Sequence, residues 1–244
     1  MCAPRGYGDL SCLSARDLLL SRGTGGFSLS IPITGKVLGK MQVSRRVILV
    51  RHGSIDAGQG GRFVGSTDAP LSVDGQAEAF RLAAPVAKLM PARCFSSPML
   101  RARETAASAL GPNGPELAID ADLREVNFGR WEGLTFEQAR HDDPAAVDRW
   151  AAGDPDFAFP GGERLADFLG RVRGVGSRLA SEVGNTVVAF THAGVIRHLI
   201  CHFLGLPWRN YVLFDVRYAS FAVIELFDDK GVLTGLNLGL SKEP

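Results

Sequence analysis

Two short apolar runs, each followed by a histidine and a glycine-containing turn, are the sequence feature that most restricts the fold of this chain. Residues 47–50 lead into an Arg-His-Gly tripeptide that contains His52, and residues 187–190 lead into a Thr-His-Ala-Gly segment that contains His192. Continuous apolar runs of this length are typical of strands that are covered on both faces. In open α/β sheets, ligands bind beyond the carboxyl ends of such strands. We therefore expect the two imidazoles to share one crevice.

Short strand patterns alternate with longer helical patterns from residue 46 onward. Besides the two runs above, strands are predicted at residues 92–95, 116–119, 211–216 and 220–227, and helices after Ser72, after Ser97, and within residues 162–183 and 195–203. This alternation predicts an α/β fold, a three-layer αβα sandwich around a mostly parallel sheet. The last two strands, joined by a short turn, are expected to form an antiparallel edge.

Two of these helices carry more detailed predictions. The helix that opens at Ser72 is expected to kink or split at Pro85. Its apolar face is predicted from helical spacing to comprise Ala77, Phe80, Ala84 and Ala87. Ser97 followed by proline is typical of a helix N-terminus, and Gly111 of a helix end. Arg101 then lies near a helix N-terminus, where backbone N–H groups favour anions.

Overall composition argues against several classes of function. With 27 basic and 26 acidic residues the net charge is +1, which gives no support for binding to nucleic acid or to a membrane surface. No stretch reaches the roughly 18 consecutive apolar residues of a membrane span. The cysteines lack CxxC spacing and predict reduced thiols, so we expect a cytoplasmic protein. Residues 1–40 are interpreted as a disordered N-terminal extension, and residues 41–244 as a single domain.

Five sequence blocks, in this order, resemble the histidine phosphatase (phosphoglycerate mutase-like) superfamily from about residue 46 to residue 226. They are Leu-Val-Arg-His-Gly at 49–53, Ser-Ser-Pro-Met-Leu-Arg-Ala-Arg-Glu-Thr-Ala at 96–106, Leu-Arg-Glu at 123–125 with Phe-Gly-Arg-Trp-Glu-Gly at 128–133, Pro-Gly-Gly-Glu at 160–163, and Thr-His at 191–192. The resemblance implies a phosphoglycerate mutase-like fold. It also implies a metal-independent phosphoric monoester hydrolase that uses no cofactor and acts on a small-molecule phosphate ester.

The resemblance further implies a role for individual residues. His52 would be the nucleophile and would become phosphohistidine, a role that requires a neutral imidazole. Arg51, Arg101 and His192 would clamp the phosphoryl oxygens, because phosphoryl transfer depends mainly on alignment and charge stabilisation. Glu125 would act as the general acid and then as the general base.

Nearby residues refine this assignment. Arg51 and Arg101 are expected to lower the pKa of His52 by repulsion between like charges. Arg62 lies where the family has a substrate-side loop, so it is expected to touch the leaving group. Glu132 is the rival acid/base residue, but its Trp-Glu-Gly context favours a role in loop structure.

Two further interpretations of the chain stay open at this point. His198 and His202 lie four residues apart on a predicted helix, a spacing that can bind zinc and would make the chain a metallohydrolase. Because no carboxylate partner is in reach, a structural role on the helix face is favoured over zinc. A non-catalytic phospholigand-binding protein is the alternative from another class. The sequence indicates no protein partner and no oligomeric state.

The substrate prediction depends on one branch of the superfamily. Residues 123–129 depart from the Leu-Asn-Glu-Arg-His-Tyr-Gly block of the mutases, which favours hydrolysis. The chain resembles the α-ribazole phosphatase branch of cobalamin synthesis; the alternatives are a broad-specificity sugar or small-molecule phosphatase and a phosphoglycerate mutase. Aromatic residues of the segment 136–159 would either form an apolar lid suited to a benzimidazole ring or pack the segment onto the domain. They are Phe136, Trp150, Phe157 and Phe159.

Overall fold

The structure, a computed structural model, describes residues 43–227 and 230–239. Its strands are β1 (Arg45–Arg51), β2 (Arg93–Ser96), β3 (Leu117–Ile119), β4 (Thr186–Thr191), β5 (Phe221–Phe227) and β6 (Lys230–Leu238). They form one sheet in the order β3-β2-β4-β1-β5-β6. Strands β3, β2, β4 and β1 are parallel, whereas β5 and β6 pair antiparallel with their neighbours. The predicted α/β fold with an antiparallel edge is confirmed; the predicted extension lies outside the described residues.

Helices cover both faces of the sheet, which makes the three layers. They are α1 (Val73–Arg81), α2 (Ala83–Lys88), α3 (Leu100–Leu110), α4 (Phe136–Asp142), α5 (Pro144–Ala152), α6 (Leu165–Ser181) and α7 (Ala193–Phe203). Successive side chains of a strand point to opposite faces. Leu49 therefore packs in the core that α6 and α7 complete, and Ile48 packs in the core under α2 and α3. None of the helices described combines the length and hydropathy that a bilayer crossing requires.

The helical pair α1–α2 confirms the predicted split but not the predicted face. The Ser72 side chain caps α1 by accepting a hydrogen bond from the backbone N–H of Gly75, and the helix breaks at Leu82, ahead of Pro85. The predicted apolar face, including Phe80 at 73% exposure, points to solvent. The buried positions are Gly75, Ala79, Leu82 and Val86. The helical period was right, but alanines contribute so little apolar area that they did not define the face.

The start of α3 is a second correction. The helix begins at Leu100 rather than directly after Ser97, and its N-cap residue, Met99, makes no side-chain cap. The Ser97 hydroxyl instead lies 2.8 Å from Nε2 of His192. Ser97 is therefore part of the histidine's surroundings, while Gly111 ends the helix at φ +69° as predicted.

The predicted strand at residues 211–216 is wrong. Residues Trp208–Leu213 form a 3₁₀ helix, and the partner of β5 is β6, which the sequence patterns did not reveal. The Tyr211 ring stacks on His198 of α7 at a centroid distance of 4.7 Å, so tertiary packing overrides a β-prone sequence. A Cβ at Gly231 would crowd Ile224 and Phe203, so a glycine is required at this position of β6. This glycine interrupts the apolar pattern by which the strand could have been predicted.

Candidate active site

His52 and His192 lie together at the carboxyl edge of the two central strands. Arg51 of β1 is paired with Thr191 of β4, so the residues that follow leave the sheet side by side. The ring centroids are 5.1 Å apart with an interplanar angle of 61°. Both residues are buried, at 5% and 1% exposure. The structure therefore brings the two predicted histidines into one crevice.

Hydrogen bonding selects the tautomer of His52. Its Nδ1 lies 2.7 Å from the carbonyl oxygen of Gly53. Because a carbonyl can only accept, Nδ1 carries the proton and Nε2 keeps its lone pair. Burial, and then the charges of Arg51 and Arg101, hold the pKa of His52 well below its usual value. The effect of the two arginines was predicted from the sequence, but burial is the larger cause. The result is a neutral imidazole with an available nitrogen.

The turn around His52 is fixed by backbone contacts. The Gly53 N–H donates to Thr105 Oγ1 at 3.1 Å, and a Cβ at Gly53 would overlap the carbonyl of Gly75. The His52 carbonyl accepts from the N–H of Ala219 at 3.0 Å. Ala219 adopts φ +44°, a conformation that costs about 1 kcal/mol or more for a residue with a side chain. The contacts thus hold the position of the imidazole.

Arg101 is fully buried beside His192. Its Nε donates to His192 Nδ1 at 3.3 Å, and its terminal nitrogens donate to the carbonyls of Thr67 and Gly65 at 2.7 and 2.8 Å. Because Nδ1 accepts, the proton of His192 lies on Nε2 and is donated to Ser97 Oγ. Burial, followed by the charges of His52 and the arginines, lowers the pKa of His192 well below its usual value.

Arg51 is held by a ring and by one carbonyl. Its guanidinium carbon lies 3.6 Å from the centroid of the Tyr218 ring, and its NH1 group donates to the carbonyl of Val216 at 2.6 Å. Its Nε is buried and has no hydrogen-bond partner among the described residues. Burial lowers the pKa of Arg51, while the charges of Tyr218 and Glu125 oppose that effect. Tyr218 therefore belongs to the site, and no local sequence pattern indicates its contact with Arg51.

Glu125 is a buried carboxylate and not a solvated one, at 8% exposure. One oxygen accepts from the N–H of Gly194 at 2.9 Å, and the other accepts from the N–H of Val126 at 3.1 Å. Gly194 lies in the first turn of α7, where the helix dipole favours a negative charge. Arg171, also missed in the sequence, donates to the Glu125 carbonyl at 3.1 Å and is paired with Glu163 at 2.7 Å.

Glu132 supports a loop and does not line the crevice. Its carboxylate accepts hydrogen bonds from backbone N–H groups of the facing loop and of its own turn: Gly65, Ser66, Thr67 and Phe128. Burial would raise the pKa of Glu132, but these hydrogen bonds together lower it below the usual value. The bonds also fix the Gly65 and Thr67 carbonyls that hold Arg101. A loop role for Glu132 follows.

A cavity of about 440 Å³ opens next to His52 and Glu125. Its lining includes the aromatic side chains of Phe63, Phe128, Trp150, Phe159, Phe168, Trp208, Tyr211 and Tyr218. Of the aromatic segment predicted as a lid or as packing, Trp150 and Phe159 line the cavity. Phe157 is buried in the core at 1% exposure, and Phe136 borders neither the cavity nor the core. Packing onto the domain is thus confirmed for Phe157 and Phe159, while a lid suited to a benzimidazole ring stays a prediction.

Arg62 borders the cavity, as expected for a substrate-side residue. Its NH1 group donates to the Gly133 carbonyl at 2.8 Å and to Gln138 Oε1 at 3.3 Å, which ties the side chain to the rim. The contact with a leaving group stays a prediction. Arg197 and His198 of α7 also line the cavity, and sequence reasoning did not assign Arg197 any role.

His198 and His202 do not converge on a metal site. His198 Nδ1 lies 2.8 Å from the Gly194 carbonyl, and the ring packs edge-on against Phe168. His202 packs over Gly176 on α6. Within residues 43–227 and 230–239, no group of three or more histidine, cysteine or acidic side chains is arranged to hold a metal. A second cavity, of about 730 Å³, shares His198 and Trp208 with the first.

Residues 47–239 match the sequence profile of the histidine phosphatase superfamily, branch 1. The chain belongs to the histidine phosphatase superfamily. Curated relatives include glucosyl-3-phosphoglycerate phosphatase of Mycobacterium tuberculosis, 33% identical over 177 residues that cover 69% of this chain and 79% of the relative. Phosphoserine phosphatase 1 of Hydrogenobacter thermophilus is 29% identical over 194 residues, covering 79% and 92%. The predicted superfamily is confirmed, and the chain is a phosphatase of that superfamily.

Solved structures give the same fold. The α-ribazole phosphatase of Shigella flexneri superposes with a TM-score of 0.71 at 26% identity, over 82% of this chain and all of the other. The mycobacterial glucosyl-3-phosphoglycerate phosphatase in complex with VO3 superposes with a TM-score of 0.70 at 32% identity, over 80% and 99%. These neighbours differ in their named substrates, so the similarity fixes the superfamily and the fold.

Proposed function

We propose that this phosphatase hydrolyses phosphomonoesters through a phosphohistidine formed on His52. The observation that carries the proposal is the tautomer of that ring, since the bond from Nδ1 to the Gly53 carbonyl leaves the Nε2 lone pair free beside the cavity. A neutral imidazole with one fixed and one free nitrogen is what a nucleophilic histidine requires.

In the first step, Nε2 of His52 bonds to phosphorus as the ester P–O bond breaks. Glu125, which lines the same cavity, enters this step as the protonated acid and gives its proton to the leaving oxygen, so that it is a carboxylate when the second step begins. In the second step, a water oxygen attacks phosphorus, the N–P bond breaks, and Glu125 takes the proton of that water. Inorganic phosphate is released, and both residues return to their starting state.

The phosphoryl oxygens would lie among Arg51, Arg101 and His192. The buried Nε of Arg51 has no partner in the described residues, and an unpaired buried donor is costly, so an oxyanion there restores a hydrogen bond. His192 and Arg101 are hydrogen-bonded to each other, which aligns them before a ligand arrives. Because guanidinium groups supply the positive charge that the transferring group needs, the reaction as proposed uses no metal and no cofactor.

The first candidate substrate is α-ribazole phosphate. The flat aromatic walls of the cavity, which include Phe128 and Trp150, offer a surface for a benzimidazole ring, and an α-ribazole phosphatase is among the structural neighbours. A second candidate, a phosphate ester whose alcohol part carries a carboxylate, is favoured by Arg197 in the cavity wall. We also propose that the protein works in the cytoplasm, since Cys94 and Cys201 are buried free thiols.

Hydrolysis of p-nitrophenyl phosphate in excess EDTA tests the proposal. We expect full activity in the chelator and a loss of about a thousandfold or more in His52→Ala. His141→Ala is the matched control, because His141 is an exposed histidine with 89% of its side-chain area accessible. Loss of activity in EDTA would indicate a metallohydrolase. Binding of phosphate without turnover would indicate a phospholigand-binding protein.

A further inference from the structure

One face of α7 lines the cavity, beginning beside Glu125 and continuing along the wall. Gly194, Arg197 and His198 are at positions i, i+3 and i+4 of the helix, and all three line the cavity. The Gly194 N–H holds Glu125, the proposed proton donor to the leaving oxygen. Arg197 follows about one turn later, roughly 5 Å along the helix axis. Arg197 therefore lies one helical turn farther along the cavity wall than the N–H group that holds Glu125.

Arg197 has no partner within the described part of the chain. Its Nε is buried and makes no hydrogen bond, and none of the ion pairs between described residues includes it. Arg171, by contrast, is paired with Glu163, and Arg178 with Asp120. A guanidinium with a desolvated donor is costly when nothing compensates it. An anionic group bound in the cavity would supply this compensation.

No charged side chain among the described residues that line the cavity forms an ion pair with Arg197. Among the described residues that line it, Glu125 is the single carboxylate, and it is already bonded to two backbone N–H groups. Arg51 is assigned to the phosphoryl group, and Arg62 is tied to the rim. Arg51 and Arg197 line the same cavity, and the positive charge of Arg197 adds to the effect of burial in lowering the pKa of Arg51.

His198 does not share this charge. Its Nδ1 proton is donated to the Gly194 carbonyl, and burial lowers its pKa to about 4, so the ring is neutral at physiological pH. It stacks on Tyr211 at an interplanar angle of 17°. The wall beside Arg197 is therefore flat and uncharged, and it would accommodate a planar group held by the arginine.

We propose that Arg197 binds a carboxylate on the alcohol part of the substrate, so that the substrates are phosphate esters of hydroxy acids. Guanidinium and carboxylate groups match in shape and form paired hydrogen bonds. This assignment rests on the proposed hydrolysis at His52 and adds the class of phosphate ester that is hydrolysed. It favours acidic leaving groups over α-ribazole phosphate, which carries no carboxylate.

Two pairs of esters that differ at one group test the assignment. O-phosphoserine and O-phosphoethanolamine differ by a carboxylate, and 3-phosphoglycerate differs from glycerol 3-phosphate by a carboxylate in place of a hydroxymethyl group. We expect the wild type to favour the acidic member in kcat/KM by about ten- to a hundredfold. Arg197→Gln should bring that ratio close to one, and Arg197→Lys should retain part of it. Arg81→Gln, at an exposed arginine in the last turn of α1, should leave the ratio unchanged.

Each other result would overturn the assignment in a different way. Equal kcat/KM for both members in the wild type would show that no carboxylate is recognised, while hydrolysis itself would stand. An equal loss on both members in Arg197→Gln would show that Arg197 contacts the phosphoryl group or supports the fold. No phosphate release from any ester would refute the proposed function, and the substrate class with it.

Discussion

The carboxylate of Glu125 and the backbone N–H of Gly194 are joined by a hydrogen bond of 2.9 Å at the first turn of α7. This bond fixes the proposed acid/base residue to the helix that also carries Arg197. The proton donor and the proposed carboxylate site are therefore both attached to α7. His52, which lines the same cavity, is fixed by its own turn.

Replacing Gly194 tests the importance of that contact. A Cβ at this position would overlap Glu125 Oε1, so the carboxylate must shift in Gly194→Ala. Because misplacing a catalytic group by about 1 Å can cost a hundredfold, we expect kcat to fall by about ten- to a hundredfold. Gly170→Ala on α6 is the control: a Cβ there meets nothing within 4 Å, so it should stabilise the helix by roughly 1 kcal/mol without loss of activity. An unchanged kcat in Gly194→Ala would contradict the assigned role of Glu125.

The stability of the protein should fall as the pH drops below about 6.5. The folded-state pKa values of His52 and His192 are lowered well below the unfolded value, so in acid the unfolded chain binds protons that the folded chain does not. Each histidine then removes about 1 kcal/mol of unfolding free energy per pH unit. Urea denaturation between pH 7.5 and pH 5 measures the slope. His52→Gln should reduce it, His141→Gln should not, and identical slopes in the two variants would rule out a buried neutral His52.

Much of this site could be predicted because it depends on local patterns. The apolar runs before His52 and His192 specify buried strands, and parallel pairing then brings their ends together. Contacts across the fold could not be predicted in the same way. The stacking of Tyr218 on Arg51 and the exposure of Arg197 to the cavity depend on how the turn before β5 and helix α7 pack in three dimensions.

The failures of prediction in the fold have similar causes. Residues 211–216 are rich in β-prone side chains, yet Tyr211 lies in a 3₁₀ helix and stacks on His198, because tertiary contacts of the ring outweigh local propensity. Strand β6 is a half-exposed edge with glycines at Gly231 and Gly235, so its apolar alternation is weak in sequence.

Tyr218 is expected to control phosphate affinity through Arg51. Tyr218→Leu removes the ring that lies 3.6 Å from the guanidinium carbon, whereas Tyr218→Phe keeps it. A cation–π contact of this kind contributes about 0.5–2 kcal/mol, so the inhibition constant of inorganic phosphate should rise about two- to thirtyfold in the leucine variant. The phenylalanine variant should remain near the wild type. Equal weakening in both variants would show that the hydroxyl, not the ring, is responsible.

Replacing Glu132 is expected to lower the stability of the protein without changing the proton-transfer steps of the reaction. Glu132→Gln weakens the acceptor for the loop N–H groups of Gly65 and Ser66, and we expect a loss of about 1–3 kcal/mol in unfolding free energy. The KM should rise because the carbonyls that hold Arg101 are loosened. The shape of the pH–rate profile should not change, since proton transfer is assigned elsewhere. Glu116→Gln, at an exposed position, is the control, and an altered profile in Glu132→Gln would give that residue a catalytic role.

The most direct test of the account is to trap the phosphoenzyme. In Glu125→Gln, an ester with a good leaving group such as radiolabelled p-nitrophenyl phosphate should phosphorylate the protein faster than water removes the label. After an alkaline quench, peptide mapping should place an acid-labile phosphate on His52. A label on His192, an acid-stable label on another side chain, or turnover without any label would contradict the assignment of His52 as the nucleophile.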